Sequence, residues 1–344
     1  MIRVLLFFLV VCLSAGLTGL IRLYALRNRV LDIPNQRSSH TTPTPRGGGL
    51  AMVISFAAAS AWLYLDGRLP ADATLALAAA LPVAAIGFLD DHAEVSARLR
   101  LAVHLLSAGT AVWLLNGLPA VLMPAPLDGL LGGLIWQVGS LGYALALLGL
   151  VWSLNLFNFM DGTDGIAASE ALFVSAALAG LLHYIHPGLA ATALTLAAAS
   201  AGFLIWNRPK AKIFMGDVGS GFIGLALGLL IVLATREAPA LLYCGVILYG
   251  LFIVDASYTL ARRALGGQRW YAAHCSHTYQ HAAKRHGHAN VLLACWAINL
   301  LWLLPIAFWV FSRPAYALAA IALAYTPLIL LARHYQAGHP EFQP

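Results

Sequence analysis

Eleven apolar runs, each close to the roughly 20 residues that cross a bilayer, constrain what this chain can become. They fall at about 3–24, 47–65, 72–89, 99–117, 131–156, 165–183, 188–206, 218–235, 239–261, 290–311 and 315–333. Hydrophobic residues make up 60% of the 344 and charged residues only 10%, which excludes an ordinary soluble domain. The expected fold is an all-α polytopic membrane protein of about eleven transmembrane helices. No linker or low-complexity tract divides it, so residues 1–344 read as a single integral membrane domain. The first run continues past the length of a cleavable leader and reads as a retained span. Cys12, Cys244, Cys275 and Cys295 show no paired spacing and read as free thiols.

The basic residues set an orientation. Segments 25–46, 90–98, 157–164, 207–217 and 262–289, with the C-terminus, alternate with a second set of connections. That second set holds only Arg3, Arg68, Arg236 and Arg313, four of twenty Lys and Arg. The first set is therefore expected on the cytoplasmic side. The net charge of +6 then reflects topology and contact with lipid headgroups. No basic-and-aromatic pattern suggests nucleic acid as a partner.

The polar residues gather on that same side. Asn155, Asn158, Asp161 and Asp164 recur every three residues between two apolar runs. A solvated turn explains the glycines and one Asp, but not this spacing. Carboxylates near bilayer depth are costly enough to imply use. Asp90 and Asp91 close another run, where adjacent acids repel unless a cation or proton lies between them. Gly216-Asp217-Val218-Gly219-Ser220-Gly221 opens a third, with glycines that either permit close packing or expose N–H groups to phosphate. Asp217 beside phosphate calls for a divalent cation, and hard oxygen donors favour Mg²⁺. Lys212 lies just upstream, and Arg37, His40 and Arg46 supply anion donors from the first connecting segment. Five of the twelve histidines, His274 and His277 among them, lie in 262–289. Solvated surface histidines, a zinc site and a phosphate- or substrate-binding loop are all open there; the last is preferred, because no Cys–His framework accompanies them.

Taken in order, Asp90-Asp91, Asn155-x-x-Asn158-x-x-Asp161-Gly-x-Asp164-Gly, Gly216-Asp217-x-Gly-Ser220 and a final His-bearing loop resemble the polyprenyl-phosphate N-acetylhexosamine-1-phosphate transferases. The resemblance runs from about Pro34 to His288. The Arg37-Ser-Ser-His40 loop with Pro45-Arg46-Gly-Gly-Gly is most similar to the bacterial branch that initiates O-antigen-type polysaccharides. It implies transfer of a sugar-1-phosphate from a UDP-N-acetylhexosamine, 6-deoxy sugars included, to undecaprenyl phosphate, with release of UMP. It implies Mg²⁺, with Mn²⁺ as a substitute, held by Asp217 and Asn158. Asp90 and Asp91 would act as catalytic residues at the reacting phosphates. Asn155, Asp161, Asp164, Arg37, His40, Arg46, Lys212, His274 and His277 would bind substrate. The location implied is the bacterial inner membrane, with the active site facing the cytoplasm; a homodimer is an open option. Two departures stand out. The family's His-x-His-His cluster is reduced to His277 followed by Tyr279 and Gln280, and Glu94 stands where many members carry Lys. Both argue against the peptidoglycan branch. The rival class is an ion- or proton-coupled transporter, but its acids should face a midplane cavity. Here they collect at the ends of spans.

Overall fold

The computed structural model describes residues 2–34, 42–118, 120–130, 135–269, 272 and 274–339. Its elements in order are α1 (Ile2–Arg27), β1 (Leu31–Asp32), β2 (Thr44–Pro45), α2 (Gly49–Leu65), α3 (Ala71–Ala78), α4 (Leu81–His92) and α5 (Ala97–Leu114). There follow β3 (Ala120–Leu122), α6 (Leu127–Leu130), β4 (Ile135–Gln137), α7 (Leu141–Met160), α8 (Ile166–Leu182), α9 (Pro187–Asn207) and α10 (Asp217–Glu237). The chain continues through α11 (Ala240–Leu248), α12 (Gly250–Leu265), α13 (Thr278–His286), α14 (His288–Ile298), α15 (Leu304–Ser312) and α16 (Ala317–His334). A π-helical turn, Asn299–Leu303, joins α14 to α15.

This is a multi-pass helical membrane protein. Among the described residues, seven helical segments are long and apolar enough to cross a membrane, or eight if the bent α11–α12 pair is one span. Helices α2 and α8 are apolar but shorter. Large apolar side chains such as Leu5, Phe8, Leu106 and Leu330 stand on the outer surface, where lipid is their natural solvent.

The helical fold carries two short antiparallel ribbons, β1 with β2 and β3 with β4. The run expected as a span from 131 begins later, because 135–137 is a strand and α7 starts at Leu141. Apolarity alone does not distinguish a strand from a helix. Val121, Ile135 and Trp136 favour extended backbone, and Pro124 and Pro126 interrupt a helix.

The core is α10, which is buried from Val218 to Thr235 and packs chiefly against α2, α4 and α7. Small residues make this possible. A Cβ at Gly49 would strike the backbone of Gly219, and one at Gly87 would strike the backbone of Asp217. Without a hydrophobic force between helices in lipid, such close backbone approach supplies the dispersion contacts that hold them. Helix α1 packs along α9, where Ser14 Oγ donates to Ala199 O at 2.7 Å and Trp206 Nε1 to Ala15 O at 2.9 Å. Among the described residues, none of the four cysteines forms a disulfide.

Candidate active site

The ends of α4, α7 and α10 meet at one face of the bundle. Asp90 and Asp91 lie in the last turn of α4, and Asp217 opens α10. The two adjacent acids do different things. Asp91, only 3% exposed, reaches across to α10 and accepts the N–H groups of Asp217 at 3.1 Å and Val218 at 3.2 Å. A carboxylate opposes the dipole of the helix it ends, but favours the N-terminus of the next. Gly216 makes the approach possible: its φ is +75°, and a Cβ there would collide with the Asp91 carboxylate. Arg46 Nε donates to Asp91 O at 2.9 Å, tying the first connecting segment to the same point. The first N–H groups of α10 are thus engaged by protein, so they do not await phosphate as the glycines had suggested.

Asp90 faces the other way. Its Oδ1 accepts Val95 N at 2.8 Å, and its Oδ2 accepts Arg100 Nη1 at 2.6 Å. The same guanidinium nitrogen donates to Asp217 Oδ2 at 2.7 Å. Asp217 Oδ1 accepts Asn158 Nδ2 at 3.1 Å. A cavity of about 200 Å³ adjoins this group, lined by Gly87, Arg100, His104, Asn155, Asn158 and Asp217. The Asn155 amide is turned back, donating to Val151 O at 2.7 Å.

The donor chemistry fits a hard divalent cation. Asp90 and Asp217 already converge on one positive group, and the amide of Asn158 adjoins them. Among the described residues no three His, Cys, Asp or Glu side chains form a closed ligand set. Few protein ligands and several waters suit Mg²⁺; a structural zinc would want four.

Beyond α7 the chain turns through Asp161–Gly165. Gly165, at φ +78°, starts α8, and its N–H donates to Asn207 Oδ1 at 3.0 Å. Asn207 Nδ2 in turn donates to Ile213 O at 2.9 Å, stapling this turn to the 208–216 segment. Asp164 is committed to the same join: Oδ2 accepts Lys210 N at 3.0 Å and Ala211 N at 3.2 Å, and lies 3.3 Å from His288 Nδ1. Burial raises the Asp164 carboxyl, yet the His288 hydrogen bond and those N–H groups hold it below its ordinary value. Asp161 is the contrasting case. Burial pushes its carboxyl well up, and the charges of Asp217, Asp91 and Asp164 push the same way. Lys212 stands apart, with Nζ 5.6 Å from the centre of the Trp206 ring.

The histidine segment closes the site from the far side. Asp255, 5% exposed on α12, accepts Thr278 N at 2.9 Å and Tyr279 N at 3.0 Å, capping α13. Its Oδ1 also lies 3.3 Å from His277 Nδ1. That contact places the ring's proton at Nδ1 and leaves Nε2 as the position for a ligand. His274 stacks on His277 with ring centres 4.9 Å apart. Burial, then the charges of His277 and Arg263, hold the His274 imidazole down at about 4. Tyr279 Oη donates to Phe159 O at 3.0 Å, so α13 docks on the residue next to Asn158.

The structure therefore brings Arg46, Asp90, Asp91, Asn158 and Asp217 together, with Asn155 lining the adjoining cavity. His274 and His277 lie just before α13, with His277 stacked on Phe159, while Asp164 and Lys212 point elsewhere. Arg37 and His40 lie outside the described residues. Arg100, Asn207 and Asp255 were not foreseen. Asp255 alone carried a signal, as an acid inside an apolar run.

Comparison with known proteins agrees with the geometry. The profile of Glycosyl transferase family 4 matches residues 73–235, which includes Asp90, Asp91, Asn158 and Asp217. A decaprenyl-phosphate N-acetylglucosaminephosphotransferase of Mycolicibacterium smegmatis is 32% identical, over 81% of this chain and 75% of its own. This chain belongs to Glycosyl transferase family 4. A Bacillus subtilis protein named "Probable undecaprenyl-phosphate N-acetylglucosaminyl 1-phosphate transferase" is 28% identical over 81% of this chain and 77% of its own. A phospho-N-acetylmuramoyl-pentapeptide-transferase of Ruegeria pomeroyi is 29% identical over 75% and 77%. The glycosyltransferase assignment replaces the transporter alternative.

Proposed function

We propose that this protein transfers N-acetylglucosamine-1-phosphate, or a closely related N-acetylhexosamine-1-phosphate, from its UDP-sugar to undecaprenyl phosphate. The product is the first lipid-linked sugar of an O-antigen-type surface polysaccharide. The observation that carries the reading is the convergence of Asp90, Asn158 and Asp217 beside a cavity holding Arg100. The relatives' names supply the substrate class.

The bond that forms joins an acceptor phosphate oxygen to the β-phosphorus of the donor. The bond that breaks is the one between the bridging oxygen and that phosphorus, and UMP leaves with the electron pair. Such transfers depend on alignment and electrostatics more than on covalent help. Asp90 takes the last acceptor proton, a modest task since a phosphate monoester's second pKa is about 6. Direct attack is favoured over an aspartyl intermediate. Asp91, locked to α10, positions Asp217. Asn158 and Asp217 would hold Mg²⁺, or Mn²⁺ in its place, which supplies charge neutralisation on the departing phosphate. Arg46 and Arg100 offer positive donors to the diphosphate and His277 its Nε2 edge, with Asn155, Asp161, His274, Arg37 and His40 around the nucleotide and sugar.

We infer eleven spans, with the site on the cytoplasmic face of the bacterial inner membrane. The seven long helical segments and the bent pair are joined by α2, α8 and α5, and all of 1–344 then acts as one transferase domain. The test is UMP release from UDP-N-acetylglucosamine with undecaprenyl phosphate and Mg²⁺, repeated with other UDP-N-acetylhexosamines, 6-deoxy sugars included. No lipid-linked product with any of them sinks the proposal.

A further inference from the structure

One buried acid takes no part in this chemistry. Glu170 lies in the second turn of α8, 2% exposed, amid Ala167, Ala171 and Val174, all fully buried. Its one hydrogen bond among the described residues comes from Asn299, whose Nδ2 donates to Glu170 Oε2 at 2.7 Å. Asn299 is equally buried and starts the π-helical turn between α14 and α15. Two atoms at this contact have no partner: Glu170 Oε1 and Asn299 Oδ1. Both accept hydrogen bonds, and they sit on the two residues already joined.

An ionised carboxylate in such a place would carry an uncompensated charge, which costs several kcal/mol. Adding one proton to Oε1 removes the charge and creates the missing donor. A carboxylic acid facing a carboxamide closes a ring of two hydrogen bonds and leaves neither orphan. The π turn has a matching rationale. It occurs where a local register change aims a side chain that a regular helix would aim elsewhere.

We propose that Glu170 is carried as the neutral acid and locks to Asn299 through paired hydrogen bonds, Oε1–H to Oδ1 and Nδ2–H to Oε2. This pair is a positioning device. Helix α8 begins where the Asp161–Gly165 turn ends, and α14 follows α13, which carries the His277 cap. The two helices are also tied at their outer ends, where His288 meets Asp164. The Glu170–Asn299 lock is the inner tie of the same helix pair. It fixes how closely the histidine segment approaches the turn beyond Asn158. Its functional consequence rests on the transferase reading above; its protonation does not.

The test uses the full chain in lipid nanodiscs. Infrared difference spectra should show a neutral carboxylic C=O band that vanishes in Glu170→Gln and shifts in Asn299→Leu. Glu170→Gln keeps a two-bond ring, amide to amide, so its unfolding temperature should match the native protein. Glu170→Ala should lower it. Asn299→Leu should raise the donor KM by about tenfold with kcat nearly kept, the signature of a misplaced binding element. A band untouched by Glu170→Gln overturns the proposal. So does a Glu170→Gln protein as unstable as Glu170→Ala, because the ionised form would then be the one required. If no UDP-sugar is turned over, the spectra and unfolding still decide the lock, while the transferase reading alone falls.

Discussion

The two halves of the site are built on opposite plans. The carboxylate half is made of helix ends pressed together through glycine, with Asp91 bonded into the start of α10 and Arg100 bridging Asp90 and Asp217. Its polar atoms are held by several elements at once. The histidine half hangs on a single buried acid: Asp255 caps α13, orients His277 and accepts Thr259 Oγ1 at 3.1 Å. A phosphate-transfer site needs both kinds of part. Charge must be placed where it develops and must not relax, whereas the segment that grips a soluble donor must also release it.

The largest effect should come from the rigid half. Asp217→Ala is expected to cut turnover by about a thousandfold or more, the scale for losing a metal or charge-stabilising contact. UMP release at limiting Mg²⁺ measures it, and near-normal activity there would remove Asp217 from the centre. Gly216→Ala should be almost as damaging without touching a functional group. A positive φ and the collision with Asp91 together cost about 1–3 kcal/mol or more. Unfolding in detergent would report that loss, and an unchanged transition would mean α4 and α10 can separate freely.

In the histidine half, Asp255→Asn should lower kcat/KM by about 10- to 100-fold, the usual scale for losing the partner that orients a histidine. The split is informative. A rise in donor KM fits a gripping role, whereas a pure kcat loss would place His277 at the reacting phosphorus. The smallest effect concerns pH. Burial holds His274 at about 4 in the folded protein, below the ordinary imidazole value of 6.5. Between those values the unfolded chain binds the proton and the folded one does not, so stability falls as pH drops from 6.5 towards 4 and levels off below. Asp164 acts in the same direction at lower pH, since its folded carboxyl is depressed and its stabilisation is lost on protonation. His274→Gln should flatten the upper part of that slope. Melting temperatures at pH 7 and 5 for both proteins check this, and parallel slopes would show that His274 is not the group responsible.

Much of this was legible in the chain. The period of three from Asn155 to Asp164 marked the end of α7 and the turn after it, and the Asp90-Asp91 and Gly216-Asp217 segments marked the helix ends that meet them. What stayed hidden was pairing. Nothing local tells that Asp91 serves α10 while Asp90 serves Arg100, because the residues that decide it lie 126 and 10 positions away. Asn207 and Arg100 look like ordinary helix-end residues until the fold brings their partners in. Asp255 and Glu170 were visible as acids in apolar runs. Their uses differ, one capping a helix and one facing an amide, and only the partner distinguishes them. Strand β4 stayed hidden for the opposite reason: its residues are apolar enough to pass for part of the span expected from 131.

The burial of α10 also bears on how the protein is made. A helix enclosed from Val218 to Thr235 gains little from lipid and most from its neighbours. Its chief neighbours, α4, α7 and α2, precede it in the chain, and α11 follows it. When α10 leaves the ribosome the helices that carry Asp90, Asp91 and Asn158 have already been made, and Asp217 arrives with it. Helix α11 then completes its packing, and the histidine segment follows later still.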